Sequence, residues 1–575
     1  MKRTLDLDQL VGADGLAKAI ANKYMEFQSY RSEWEDTQTE LRNYLYATDT
    51  RTTSNEKLPW SNSTTTPKLT QIYDNLKANY EAALFPSSDW MKWVSNNRDS
   101  NKPEKRKAIQ SYMQNKVDQS DFYEVTGTLL DDFVRTGNCF ATVEYSGEGY
   151  INELGEYIAG YEGPRVVRIS PHDIVFDPTA ATFSASPKIV RSLKTLGECR
   201  KMAEADPRFN VVFDKMLNNR QSVGQADDVD KSEGYTADGF SSIYNYYAAS
   251  AVEFLTFYGD IYDVDKGELL TNRIIVVVDR AYIVYDELSP SYMGTDVVFH
   301  AGWRSRPDNL YAMGPLDNLV GMQYRIDHLE NLKADVFDQI ALPMVLIQGD
   351  VEDFEFQPGE RIIAGEEGNV TYLRPDATAL NADFQIQTLE NKMEELAGAP
   401  RQAMGLRTPG EKTAFEVGVL DNAANRIFNH KARQFEMMFL EPILNAMLDV
   451  GRRNFVGSQE SSTYDSDVGS TIFSTIVKED IVGDGRIRPM GARHFEARNK
   501  RVQTLSQLIQ LKQDPSVGTH LSGKAIAHIL AEELNEAELF GDNVGVLETA
   551  ETQKAMLDAE ADVQEDLQMK RDMGI

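Results

Sequence analysis

The stretch that most constrains this chain runs from Gly314 to Phe455. Apolar spacing predicts a helix over 316–342, opened by Pro315 and stopped by Pro343. Leu316, Leu319, Val320, Ile326, Leu329, Val336, Phe337 and Ile340 form one stripe. Asp317, Asn318, Arg325, Asp327, Glu330, Lys333 and Asp338 take the other face. At 1.5 Å per residue the helix is roughly 40 Å long. A β insertion follows at 344–374, with short runs MVLIQG, RIIAG and VTYLR between glycine-rich turns. A second helix is predicted over 384–399, then a loop over 400–412. The loop leads into a helix from Thr413 to about Val450, roughly 57 Å by the same rise. Pro442 lies inside it, removes a backbone donor and predicts a kink. Few enzyme cores call for this order of elements.

The rest of the chain frames that stretch. Residues 14–48 read as helix, with Leu16, Ile20, Tyr24, Phe27, Tyr30, Trp34, Leu41 and Leu45 at three-, four- and seven-residue steps. A polar Ser/Thr/Asn loop separates this from a second helix that Pro67 opens. Helices are predicted over 105–119 and 122–135, and Thr136-Gly137-Asn138 breaks the latter. From 140 to 310 the period changes to strands and turns: 139–145, 165–169, 174–176, 253–258, 273–278 and 281–285, with Asp279-Arg280 joining the last two. A polar stretch over 218–242 reads as a surface loop. Strands return at 470–477 and 486–489, and helices resume at 494–513, 522–534 and 544–572. The last 45 residues carry thirteen Asp or Glu against Lys554, Lys570 and Arg571, which reads as a solvated tail. The fold class is therefore α+β and mostly helical.

With 575 residues the chain is long enough for two to four domains. It has no apolar run long enough to span a bilayer, and its first residues lack the apolar core of a secretory signal. Two cysteines, Cys139 and Cys199, exclude a disulfide framework and point to a reducing cytoplasm. The net charge of −31 repels a phosphate backbone over most of the surface. That charge suits either plain solubility or a passage through which DNA slides without sticking.

Several stretches, taken in order, resemble the portal, or head-to-tail connector, proteins of short-tailed bacteriophages. They are SNSTTTPKLTQIYDNLKANYEAALFP with Trp90 and Trp93 behind it, RTGNCFATVEY followed by ISPHDIVFDPTA, HAGWRSRPDNLYAMGPLDNLVGMQYRIDHLENL, and LRTPGEKTAFEV. Tyr311-Ala312-Met313-Gly314-Pro315 stands where relatives tend to have Tyr-Gly-x-Gly-Pro. The resemblance covers roughly residues 15 to 490 and is weakest after that. It implies a portal fold of wing, stem, clip and crown, assembled as a ring around a central channel. On this reading 1–313 is the wing, 314–342 the first stem helix, 343–383 the clip and 384–399 the second stem helix. Residues 400–412 are the tunnel loop, 413–455 the long kinked helix, 456–493 a return to the wing, and 494–575 the crown with its acidic tail. The implied partners are further copies of the chain, usually twelve, and double-stranded DNA in the channel. They also include the terminase large subunit, the tail adaptor, and the major capsid and scaffolding proteins, with no membrane. The implied location is a capsid vertex of the virion, assembled in the host cytoplasm, where the ring serves DNA packaging and ejection.

The most enzyme-like motif is Gly405-Leu-Arg-Thr-Pro-Gly410-Glu411-Lys412-Thr413. A phosphate loop needs lysine directly after the second glycine and a strand before the first. Glu411 intrudes, and a helix precedes. The alternative of a P-loop-like NTPase motor subunit rests on this loop alone. Another alternative is a tail or scaffold structural protein that touches no DNA. Arg401, Arg407 and Lys412 make the loop locally basic, and a ring would turn them into rings of positive charge facing DNA. They equally suit ordinary helix-flanking charges.

No cofactor or metal is expected. Asp263-x-Asp265-x-Gly267 lacks a bidentate glutamate at the twelfth position, where Ile274 stands, so it reads as a hairpin turn. The seven histidines do not fall at ligand spacings, and no zinc or nucleophile-elbow motif occurs. His172 and Asp177 read as turn residues rather than a catalytic pair. Phe415, Phe428, Phe435, Met437, Met438, Phe439 and Met447 on the long helix are expected to seal against neighbouring subunits.

Overall fold

A computed structural model describes residues 14–46, 62–86, 90–151, 157–220, 251–290, 297–352, 362–373, 381–398, 426–465 and 470–491, less a few positions inside those ranges. The chain divides into two units, Met1–Leu84 with Met91–Pro489, and Phe85–Trp90 with Met490–Ile575. Of the second unit only a few residues are described. In it Met490 donates its N–H to the Trp90 carbonyl at 2.6 Å, and Phe85 meets Trp90 edge-on at 4.9 Å. The predicted helices after residue 494 lie outside the described residues.

The first unit opens with α1, Gly15–Leu45, and α2, Lys68–Leu84. Strand β1, Met91–Ser95, precedes α3, Pro103–Gln119, and α4, Phe122–Arg135. Strands β2, Asn138–Ile151, β3, Tyr157–Ile169, β4, Ile174–Phe176, and β5, Lys188–Thr195, come next. Two helices follow, α5, Leu196–Ala205, and α6, Pro207–Arg220, where sequence periodicity had indicated only strands and turns. Thr195 and Glu198 form a capping box, and Pro207 occupies the first position of α6.

The chain then runs through β6, Ala251–Asp263, β7, Glu268–Val278, and β8, Tyr282–Leu288. With β4 and β5 these form a five-stranded antiparallel sheet in chain order. Alternation along each strand divides its residues between two faces. Ile189, Leu255, Phe257, Ile275 and Val277 pack against Leu16, Ile20, Tyr24 and Phe27 of α1. Val252, Phe254 and Val278 pack against Cys199, Phe209, Phe213 and Met216 of α5 and α6. The sheet is thus sandwiched between helices. Tyr30, expected in the α1 stripe, is exposed and bonded to Glu26, whereas Arg31 is buried. Arg31 donates to the carbonyls of Ile174 and Pro171 at 2.7 and 3.3 Å and pairs with Glu35 at 2.5 Å. This pins α1 to the SPHDIVF turn. In the same turn Asp177 accepts from the N–H and hydroxyl of Thr179, a local cap with no catalytic geometry.

The β6–β7 connection is the expected hairpin at Asp263, and no group of three metal-ligating side chains occurs among the described residues. The β7–β8 turn uses Asp279 and Arg280, both at positive φ (49° and 58°), where glycine or asparagine is normal. Two bonds from Arg280 to Glu253, at 2.7 and 3.0 Å, hold that turn.

Strand β9, Val298–Gly302, completes a second sheet, β3-β2-β9. Strands β10, Arg304–Arg306, and β11, Asn309–Met313, form a short hairpin beyond it. Phe140, Phe176, Phe183 and the His300 ring cluster where the two sheets meet. His300 stacks on Phe140 at 4.7 Å and shares a 3.1 Å hydrogen bond with Asn138. Burial, aided by Lys188, pushes its pKa down to about 3. Below pH 6.5 the unfolded chain therefore binds a proton that the folded one refuses. This stabilisation is complete above pH 6.5 and is lost as pH falls toward 3. The urea midpoint should drop between pH 6.5 and 4, and His300→Gln should lessen the drop. An unchanged pH dependence in the variant would contradict this assignment.

Candidate functional site

The stretch that organises the sequence begins at a backbone crossing. Gly137 sits at φ 71°, and an added Cβ would lie 2.3 Å from the Gly314 nitrogen. Asn138 bridges the crossing. Its amide nitrogen donates to the Thr136 and Ala312 carbonyls at 3.0 and 2.9 Å, and its oxygen accepts the Ala312 N–H at 2.9 Å. The RTGN and YAMGP motifs, 174 residues apart, thus lock onto each other. Pro315 is buried just behind, and Asp317 accepts the Gly314 N–H at 2.8 Å.

The predicted helix over 316–342 is a 3₁₀ turn, Asp317–Leu319, followed by α7, Val320–Ala341. Leu342 ends the helix, and Pro343 leads into β12, Met344–Gln348. Strand β12 pairs antiparallel with β13, Asn369–Leu373. Helix α8, Asp383–Ala397, closes the module, with Gly398 in the left-handed conformation at its end. The run RIIAG is not described as a strand, although Glu352 donates its N–H to the Ile363 carbonyl at 3.1 Å.

Two features of α7 carry the module. The first is a polar ladder on one face, Gln323, Asp327, Asn331 and Asp335, four residues apart. It grips the backbone ahead of α2 at alternate residues. Asp335 accepts the Asn62 N–H at 2.6 Å, Asn331 the Thr64 N–H at 2.8 Å, and Asp327 the Thr66 N–H at 2.9 Å. Asn331 also donates to the Thr64 carbonyl at 3.0 Å, and Gln323 to the Thr66 carbonyl at 2.5 Å. Four helical residues rise about 6.0 Å and two extended residues about 6.6 Å, so the repeats stay in step. Asn62, Thr64 and Thr66 of the SNSTTTP motif supply the strap's backbone groups. Below it, Lys68 and Glu394 form a buried ion pair at 2.6 Å, joining α2 to α8.

The second feature is the apolar stripe. Its first half is buried: Leu316, Leu319, Val320, Ile326 and Leu329. Its second half is open, with Phe337 at 55% exposure and Val336 and Ile340 half-buried. The openness continues through Leu342, Met344, Ile347, Tyr372 and Leu373 to Phe384, which is 78% exposed. In the hairpin these side chains divide between two faces, Met344 and Leu373 on one and Ile347 and Tyr372 on the other. Sequence periodicity placed the whole stripe on one face but could not say that only half of it is covered within the chain.

Arg401, Arg407 and Lys412 lie outside the described residues, as does the predicted helix before Arg426. From there the long element is α9, Arg426–Phe435, a π turn, Glu436–Leu440, and α10, Glu441–Asn454. Pro442 falls at the start of α10, directly after the π turn, where a wider turn accommodates its missing N–H. The expectation that the apolar side chains of this helix face neighbouring subunits needs correction. Phe428, Phe435, Phe439 and Met447 are buried in the chain's own core, with Phe428 on Tyr80 at 4.7 Å and Phe435 on Phe133 at 4.9 Å. Met437 and Met438 are half exposed. Lys431 anchors α9 by donating to the Trp303 carbonyl. Trp303, in the HAGWRSR motif, donates its indole N–H to the Tyr80 hydroxyl at 3.1 Å.

After α10 come β14, Ser458–Asp465, β15, Ser470–Val477, α11, Lys478–Ile481, and β16, Gly485–Pro489. Strand β16 pairs with β1, a contact across almost the whole first unit. No described helix is long and apolar enough to cross a membrane.

No family model matches this chain, and no curated protein matches its sequence.

The ladder carries two separable predictions. Replacing Gln323, fully buried, with Leu leaves the buried Leu69 N–H without its 3.2 Å acceptor, which costs about 2 kcal/mol. Burial raises the Asp327 carboxyl pKa, so Asp327→Asn keeps the acceptor and sheds a buried charge. Urea denaturation should show a clear loss for Q323L and none for D327N. A loss for D327N equal to that for Q323L would mean that the Asp327 charge is itself required at the strap.

Proposed function

We propose that this chain is the portal protein of a short-tailed bacteriophage. It is one subunit of a homo-oligomeric ring at a capsid vertex. Double-stranded DNA passes through the centre of the ring during packaging and ejection. In this reading α7 and α8 are the stem and the β12–β13 hairpin belongs to the clip. The ring docks the terminase motor and then the tail adaptor. The subunit itself is not an enzyme and needs no cofactor.

One observation carries the reading most. The helix–hairpin–helix module is held by the Asn138 crossing and the strap, and it leaves large apolar side chains open on the end of α7, on both faces of the hairpin and at Phe384. Lateral packing of identical modules would cover such side chains, and a heterologous contact that closes on itself generates a ring. The contact between motif stretches at Gly137 and Gly314 adds weight, since the motif order first suggested the family.

Negative-stain microscopy and mass photometry of the purified chain test the proposal. The expected particle is a closed ring with a central hole wide enough for duplex DNA. Fibres, trimers or stable monomers at micromolar concentration would reject it, and trimers or fibres would favour a tail component. A separate prediction concerns the loop over 400–412. Neutralising Arg401, Arg407 and Lys412 together leaves ring assembly intact and reduces the DNA packaged per particle. Full-length packaging by the triple variant would remove these side chains from the channel.

A further inference from the structure

The two-stranded ribbon of β1 and β16 has two unlike faces. One is apolar and fixed. Met91, Trp93 and Ile487 are buried, and Asn445 of α10 holds Ile487 through both backbone groups, at 2.9 and 3.0 Å. The other face is exposed and, apart from Val94, cationic. In register, Lys92 stands opposite Arg488 and Val94 opposite Arg486. Like charges directly across a strand pair are destabilising, so Lys92 opposite Arg488 is a local conflict that an anion would relieve.

Among the described residues little neutralises this face. Glu441 approaches Arg488 only at 3.7 Å, and Lys92 and Arg486 form no ion pair among the described residues. Asp484, at the end of the ribbon, is taken up as an acceptor for Asn96. Ser100 bonds to both Trp93 and Asp484 at that end, and the chain enters α3 from there with Glu104, Lys105 and Arg106 in its first turn.

We propose that the outer face of the β1–β16 ribbon is a docking surface for the phosphate backbone of double-stranded DNA, separate from the loop over 400–412. Arg486 and Arg488, two residues apart on one strand, are spaced by roughly 6.6 Å. A DNA strand presents one charge per about 3.4 Å of axis, so the pair meets phosphates along a single strand. Arginine offers a planar fork to each. Contacts to phosphate carry no sequence information of their own.

The test is fluorescence anisotropy of a random-sequence duplex with the full chain over a series of salt concentrations. Mass photometry run in parallel gives the oligomeric state, so a failure of ring assembly is scored separately. Replacing Lys92, Arg486 and Arg488 with Gln should lower the salt-dependence slope by about 2.7, at about 0.9 per phosphate contact, and weaken binding about 10-fold or more. Val94→Glu, at the exposed centre of the same face, should weaken binding without removing any cation. Neutralising Arg401, Arg407 and Lys412 should leave the ribbon's share of the slope in place. The proposal fails if the triple-Gln and Val94→Glu chains, with unchanged melting, bind DNA with the wild-type affinity and slope. It fails equally if the wild-type chain binds no DNA, or if poly-glutamate displaces the duplex at equal charge concentration, which would mark a site for an acidic polypeptide.

Discussion

Much of the first unit depends on one buried amide. Asn138 is fully buried, and its side chain satisfies both backbone groups of Ala312 while reaching the Thr136 carbonyl and the His300 ring. Those bonds join the end of α4, the first strand of the small sheet and the strand that feeds α7. Gly137 and Gly314 let the two backbones approach that closely. An aspartate there could not donate, and an aliphatic side chain would leave three or more polar groups without partners in a dry interior. The direction in which α7 leaves the sheets is therefore set by a single hydrogen-bonding side chain rather than by apolar packing alone.

The α7 helix then serves two environments along its length. Near Leu319 and Ile326 it is a core helix with a covered stripe. Near Phe337 and Leu342 it has outrun its own core, and on its polar face Asp335 and Asp338 hold Asn62 of the strap. Apolar and polar faces are thus both committed, one to a packing surface and one to a backbone. A module of this design keeps its shape without being surrounded by its own chain, which is the physical requirement on any element that projects from a subunit toward another molecule.

What the sequence revealed follows from range. Helix α4, strand β4 and strand β15 fall where periodicity and breakers put them, because their signals are local. The α1 stripe was readable except at Tyr30 and Arg31, where a tyrosine points outward and a guanidinium inward. Strand β5 is hidden because KIVRSLKT alternates poorly, and α5 and α6 because their start signals, a capping box and a proline, sit inside a β-rich stretch. The pairing of β1 with β16, and the strap on α7, join residues hundreds of positions apart and leave no periodic trace. The basic ribbon belongs to that class too: Lys92, Arg486 and Arg488 look like scattered surface charges until register places them on one face.

The π turn at Glu436–Leu440 has a consequence for how α9 and α10 are aligned. A π turn takes in one residue more than an α turn, and one residue is about 100° of rotation. Side chains before and after it therefore belong to two helical wheels out of phase with each other. At the turn, Phe435 and Phe439, four residues apart, stay inside while Met437 and Met438 are half exposed. The offset makes the facing of everything on the N-terminal side of Glu436 depend on whether the extra residue is retained. Loss of that one residue would turn α9 by more than a quarter of a circle while α10 stayed where Asn445 holds it.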